Sequence, residues 1–197
     1  MNDIPIQPEL TFDEKPHAYF WNGKKVPNIT SLILDVGLTD MTFVPTNALA
    51  RGSDVHFATL LYDEHDLDMD TVTDEIRPYL NAYISAMDRL EWTPVIREVR
   101  WYSEKWGYAG TVDGIYLTKD VNHLLCEIKS TDGPEQDSWK IQTAAQEELW
   151  KPHFPNVERY TLQLKSDGSF RLHGPYTDPM DLVAFQAALI IHGRKGK

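Results

Sequence analysis

The chain has 197 residues, 25% of them charged and 42% hydrophobic, with a formal net charge of −11. That size and composition suit one globular domain that folds without staples. The single cysteine, Cys126, excludes an internal disulfide, a cysteine-ligated iron–sulfur cluster and a zinc ribbon. No apolar run approaches the roughly 20 residues that cross a bilayer, and no basic stretch leads into an apolar leader. A soluble, cytoplasmic protein with no membrane partner is therefore expected.

In chain order, Phe12-Asp13-Glu14 and His17 to Trp21, followed by Asn22-Gly23, read as a hairpin with a type I′ turn at Asn22-Gly23. Thr30 is placed to cap a short helix over Ser31–Val36 that Gly37 ends. Thr46 or Asn47 would cap a helix reaching about Tyr62, with Leu49, Val55, Leu60 and Leu61 on its apolar face. Ile76, Leu80, Tyr83, Ile84, Met87 and Leu90 recur at helical spacing and predict a helix from about Glu75 to Leu90. Pro78 fits only in its first turn. Between these helices Asp63–Asp74 carries six acidic residues and reads as a solvated loop.

Strands are expected over Val95–Tyr102, Tyr108–Leu117 and Leu124–Lys129, the last two joined by a turn near 119–122. A helix over Asp137–Trp150, a hairpin of Arg159–Leu164 with Phe170–Leu172, and a helix over Met180–Ile191 complete the chain. This order implies an α/β (α+β) fold with a mixed central sheet flanked by helices. The expected organisation is a single domain over 1–197, with the hairpin and helices of 1–90 packed on a core of 91–197.

The residues that suggest chemistry are Gly110-Thr111-Val112-Asp113-Gly114 and Glu127-Ile128-Lys129. Side chains alternate along a strand, so Glu127 and Lys129 share one face while Ile128 and Cys126 point to the other. An antiparallel pairing can set Asp113 opposite Glu127, with the turn centred on Asp120. Two carboxylates and an ammonium meeting at a sheet end could hold a hard divalent cation. The Ile128 carbonyl could add an oxygen, and Lys129 could orient a water. As a bare pattern, Asp…Glu-x-Lys also describes ordinary exposed charges on a hairpin.

The net negative charge disfavours phosphate partners, although bound metal reverses the sign of an acidic pocket. Local cations at Lys24–Lys25, Arg97–Arg100–Lys105 and Arg194–Lys195–Lys197 could contact phosphates. Glu98 is either an acid close to the metals or a surface partner of Arg97 or Arg100. Lys140 is a phosphate contact or a solvated lysine, and Ser130 and Thr131 bind phosphate or end a strand. Trp101, Trp106, Tyr108 and Trp139 could stack on bases, but packing in the core or at its rim is the commoner fate of such rings.

Four segments in order resemble the PD-(D/E)xK nuclease superfamily, in particular its RecB-type, Cas4-like and phage-type exonuclease branch. They are Arg51-Gly52-Ser53-Asp54-Val55-His56, Gly110-Thr111-Val112-Asp113, Glu127-Ile128-Lys129-Ser130-Thr131 and Gln142-Thr143-Ala144-Ala145-Gln146. The opening Phe12–Thr30 also resembles the start of phage-encoded members. The resemblance implies a restriction-endonuclease-like fold and catalytic roles for Asp113, Glu127, Lys129 and Gln142. It implies one or two Mg²⁺ or Mn²⁺ ions held by His56, Asp113, Glu127 and the Ile128 carbonyl. Glu98, Arg51, Ser130, Thr131 and Lys140 would surround the metals or the substrate.

The implied activity is metal-dependent DNA exonuclease action in recombination, repair or replication, in a host cytoplasm if phage-encoded. DNA ends would be the substrate, and a recombination or replication protein and an oligomer are further expectations. Two alternatives stand beside it: a structure-specific endonuclease on the same fold, and a non-catalytic nucleic-acid-binding or assembly protein. Two departures matter. The helical motif often reads Q-x-x-x-Y, where this chain has Gln146, and the cluster cysteines of Cas4-like members are absent.

Overall fold

The computed structural model describes residues 6–39 and 46–195. Three short strands open it: β1 (Leu10–Asp13), β2 (Ala18–Trp21) and β3 (Lys24–Val26), in an antiparallel sheet of that order. Asn22 and Gly23 join β2 to β3 with φ of 49° and 72°. Positive φ at both positions is what a type I′ turn needs, so the expected turn forms.

Helix α1 (Ile29–Asp35) starts earlier than expected. Asn28, not Thr30, caps it: the Asn28 side chain accepts from the Ser31 N–H, and Ser31 Oγ reaches back to the Asn28 N–H. This reciprocal pair is a capping box with serine at its third position. The next helices are α2 (Thr46–Asp63) and α3 (Arg77–Leu90), with a 3-10 turn at Met69–Thr71 between them. The cap expected at Thr46 or Asn47 lies outside the described side chains. Pro78 sits in the first turn of α3, where its missing N–H costs nothing. Leu49, expected on the apolar face of α2, is 53% exposed.

The central sheet holds β4 (Thr93–Ser103), β5 (Tyr108–Leu117), β6 (His123–Ser130), β7 (Glu158–Leu164) and β8 (Phe170–His173), in that order. Only β6 and β7 run parallel, with α4 (Asp137–Trp150) crossing between them. Helix α5 (Met180–Lys195) ends the description and runs one turn past the expected end. The expected fold class, a mixed sheet flanked by helices, is what the chain forms, and it is consistent with a restriction-endonuclease-like fold.

Each face of the sheet carries its own core. One joins Val55, Leu80, Tyr83 and Ala86 of α2 and α3 to Tyr116, Cys126, Ile128 and Leu162. The other joins Ile29, Leu32, Ile141, Leu149 and Phe185 of α1, α4 and α5 to Val112, Ile115 and Leu125. Cys126 and Ile128 thus share a core and Leu125 takes the other, as strand alternation requires. The opening sheet rests on β4 and β5: Trp21 stacks on Tyr102, and Tyr19 Oη lies 2.6 Å from Thr111 Oγ1. Among the described residues, no helix is long and apolar enough to cross a membrane.

Candidate functional site

The site grows from an irregularity shared by β4 and β5. Ile96 pairs with Ile115, and Val99 pairs with Val112. All four lie on the same core. Residues three apart on a regular strand face opposite ways, so both strands change phase between these pairs. Glu98, between Ile96 and Val99, has φ +50°. A left-handed non-glycine residue costs about 1–2 kcal/mol. Here it turns the Glu98 carboxylate towards α2, where Glu98 Oε1 lies 3.0 Å from His56 Nδ1.

Asp113 stands on β5 at the same break. The β5–β6 ladder runs from Leu117↔His123 to Gly114↔Cys126, with Asp120 at the centre of the turn, and Asp113 and Glu127 follow directly after its last rung. Asp113 Oδ2 accepts the Ile128 N–H at 2.7 Å, and Asp113 Oδ1 lies 3.6 Å from His56 Nδ1. The Ile128 carbonyl lies 3.2 Å from His56 Nε2. Both ring nitrogens of His56 therefore face acceptors, an arrangement that suits the doubly protonated imidazolium. Burial opposes that charge, but Asp113 and then Glu98 hold the His56 pKa up at about 9. Burial and the neighbouring Glu127 push the Asp113 carboxyl up to about 8. His56, Glu98 and Asp113 each offer a ligand atom, all within 4.8 Å of one another, and this cluster could bind a metal ion.

Glu127 has different surroundings. Its Oε1 accepts from Lys129 Nζ at 2.7 Å and from Gln142 Nε2 at 2.5 Å. Its Oε2 accepts from Gln146 Nε2 at 2.7 Å. Burial disfavours the Glu127 carboxylate, yet the Lys129 ammonium and the Gln146 amide bring its pKa below the ordinary value. Burial likewise works against the Lys129 ammonium, but Glu127 and Asp113 raise its pKa. Lys129 is therefore a charged donor at neutral pH. Gln142 and Gln146 come from one face of α4, four residues apart, and the Gln142 carbonyl also accepts from Lys129 at 3.0 Å.

A buried network backs the cluster. The Arg97 guanidinium donates to the Asp113 carbonyl at 2.8 Å, to Tyr83 Oη at 2.7 Å and to Thr59 Oγ1 at 3.1 Å, and it pairs with Asp63. Tyr83 in turn donates to Asp63. Two expectations are corrected here. Arg97 is spent on Asp63 and cannot serve as a surface phosphate contact, and Asp63 belongs to this network and not to a solvated loop. Gly114 allows the close fit, because a Cβ there would run into the Tyr116 ring.

Other expected residues sit apart from the cluster. The Arg51 guanidinium lies over the Tyr79 ring, 5.3 Å from its centroid. Lys140 Nζ pairs with Asp137 at the start of α4. Thr131 Oγ1 accepts from the Gly133 N–H, and Ser130 packs near Gly52. Tyr108 and Trp139 are buried, Trp101 packs against Trp150, and Trp106 donates to Glu148. Arg100 covers Phe12, Lys105 pairs with Glu148, and Lys195 donates to the Asp35 carbonyl. Lys24, Lys25 and Arg194 are exposed, and Lys197 lies outside the described residues. Gln146, Asp63 and Arg97 were not expected in the site. The i, i+4 spacing from Gln142 could have signalled Gln146; the other two carry no local signal.

No family model and no curated protein matches the chain. Solved structures similar to it include a protein named "Putative exonuclease" from Eubacterium rectale, 10% identical, over 88% of this chain and 74% of that one, with a TM-score of 0.49. Another is SSO0001, 13% identical over 83% of this chain and 84% of that one, with a TM-score of 0.39.

Proposed function

We propose that this chain is a Mg²⁺- or Mn²⁺-dependent deoxyribonuclease of the PD-(D/E)xK class that acts on DNA ends. The observation that carries this reading is the meeting of His56, Glu98 and Asp113 beside the Glu127–Lys129 pair. The donor set fits a hard divalent ion: carboxylate oxygens, one imidazole and a backbone carbonyl, with no thiol among them. His56, once a ring proton is displaced, would hold the ion with Glu98 and Asp113, with the Ile128 carbonyl and Glu127 beside them. When bound, such an ion polarises a phosphodiester and lowers the pKa of a bound water.

The chain's own groups have separable tasks. Lys129, kept protonated by Glu127, presents positive charge where a scissile phosphate would build up negative charge. Gln142 and Gln146 fix Glu127 and Lys129 in one geometry. Arg97 holds the Asp113 backbone from behind. Lys24, Lys25 and Arg100 offer positive charge on the opening sheet and the strand it covers, a route by which a phosphate backbone could approach despite the net charge. The order of the four motifs supports the finer reading of phage-type end processing during recombination, repair or replication.

The test is cleavage of linear double-stranded, single-stranded and covalently closed circular DNA, and of RNA, with Mg²⁺, Mn²⁺ or EDTA. Degradation of linear DNA with either metal, stopped by EDTA, is the expected result. Cleavage of closed circles would assign the endonuclease reading instead. Metal binding with no cleavage of any nucleic acid would leave a non-catalytic binding protein.

A further inference from the structure

Helix α5 is apolar on two sides. Phe185 and Ala188 face inward to the core shared with α1 and α4. On the other side Met180, Val183 and Ile190 are 59%, 47% and 59% exposed, with exposed Ala187 between them and exposed Arg194 beyond. Positions 180, 183, 187, 190 and 194 follow the alternating three-and-four spacing of a coiled-coil seam. Ile191 widens this stripe, and it is also 45% exposed. A monomer rarely leaves such a row of apolar side chains in water.

Within one turn of Ala187 the stripe reads alike in both directions. Ala187 lies midway between Met180 and Arg194. Val183 stands one turn before it and Ile190–Ile191 one turn after. A two-fold contact needs this pattern, because each patch must complement itself. Two antiparallel copies crossing at Ala187 would set Val183 against Ile191 of the other copy, with the small alanine allowing close approach. Charge agrees with this direction. Exposed Asp178 precedes the stripe and exposed Arg194 ends it, so antiparallel pairing brings each acidic end to a basic one.

We propose that the exposed face of α5 is a homodimer interface, in which two copies of the chain pair antiparallel about a two-fold axis at Ala187. The inference is independent of the nuclease reading, because the stripe contains none of the residues assigned to the metal cluster.

Analytical ultracentrifugation of the intact chain tests it. The species expected at about 100 µM, in the affinity range of a small interface, has twice the 22.7 kDa chain mass. Val183→Asp with Ile190→Asp should leave a monomer that melts as wild type does at protein concentrations too low for pairing, since both side chains are exposed. Ala187→Cys should form a disulfide-linked dimer on a non-reducing gel, while Ser53→Cys, on exposed α2 surface, should not. Cys126 is buried and free, and does not compete. A wild-type chain that stays monomeric at this concentration overturns the proposal. So does a dimer that survives the double substitution, or an Ala187→Cys chain that cross-links no faster than Ser53→Cys.

Discussion

Asp113 and Glu127 lie on neighbouring strands just past the last rung that joins them, yet the structure treats them in contrary ways. Glu127 is saturated: Lys129, Gln142 and Gln146 occupy both its oxygens. Asp113 faces another carboxylate, Glu98, across a histidine, and burial together with Glu127 holds its carboxyl up at about 8. One region is finished by the protein, and the other is short of positive charge. A cation could complete the second and would compete with donors at the first. On the function proposed above, the two carboxylates would divide the labour: Asp113 with Glu98 as the metal-facing side, Glu127 as the anchor of Lys129.

The largest effect expected separates these sides. Asp113→Ala and Lys129→Met should each lower nuclease activity by about 10³-fold, the scale of losing one preorganised electrostatic group. They should differ in metal binding. A ligand that binds the folded state raises its melting temperature, so Mn²⁺ should stabilise wild type and Lys129→Met but not Asp113→Ala. Equal Mn²⁺ responses in the two variants, measured by thermal melts, would erase the distinction drawn between the two regions.

The backing network comes next. Arg97→Met leaves Asp63 buried without its partner, a loss of about 3–5 kcal/mol. Arg97→Met with Asp63→Leu should recover most of it in urea denaturation, because no charge is then stranded. Recovery of stability without recovery of cleavage would show that the Arg97 contact to the Asp113 carbonyl shapes the site as well as the fold.

How much of this was legible in the sequence follows from the range of each interaction. The bounds of β5 and α4 coincide with those expected, since strand alternation and helical periodicity are local signals. The β5–β6 register up to Gly114↔Cys126, centred on Asp120 as expected, was readable because a short turn connects the strands. The α1 cap was misread because Asn28 and Thr30 are both good caps, and only the reciprocal Ser31 contact decides between them. The Arg97–Asp63 pair was hidden because its partners lie on elements joined through folding, and each alone reads as a surface charge. Glu98 was ambiguous for a related reason: nothing in the string announces a left-handed glutamate inside a strand.

A smaller effect tests the saturated side. Gln146→Leu leaves Glu127 Oε2 buried without its donor, a cost of about 1–3 kcal/mol. The pH dependence sharpens the cause. The Glu127 pKa is held below its ordinary value, so its stabilisation is present above the unfolded pKa and is lost as pH falls through the folded one. Removing the Gln146 amide raises the folded pKa, and the acid unfolding midpoint of Gln146→Leu should move to higher pH. A midpoint unchanged from wild type would mean that Lys129 alone holds Glu127 charged.

The smallest effect falls on the side short of charge. Glu98→Gly removes a partner of His56, a change that would ordinarily destabilise. It also removes one of the carboxylates crowding Asp113, and it places glycine where φ is +50°, a conformation glycine adopts freely. These terms oppose one another, and the metal-free fold should shift by less than about 1 kcal/mol. The Mn²⁺-induced rise in melting temperature should nevertheless fall. That outcome would mean that Glu98 is kept for something other than folding. A marked loss of stability in metal-free Glu98→Gly, with the Mn²⁺ response intact, would instead make Glu98 a structural partner of His56.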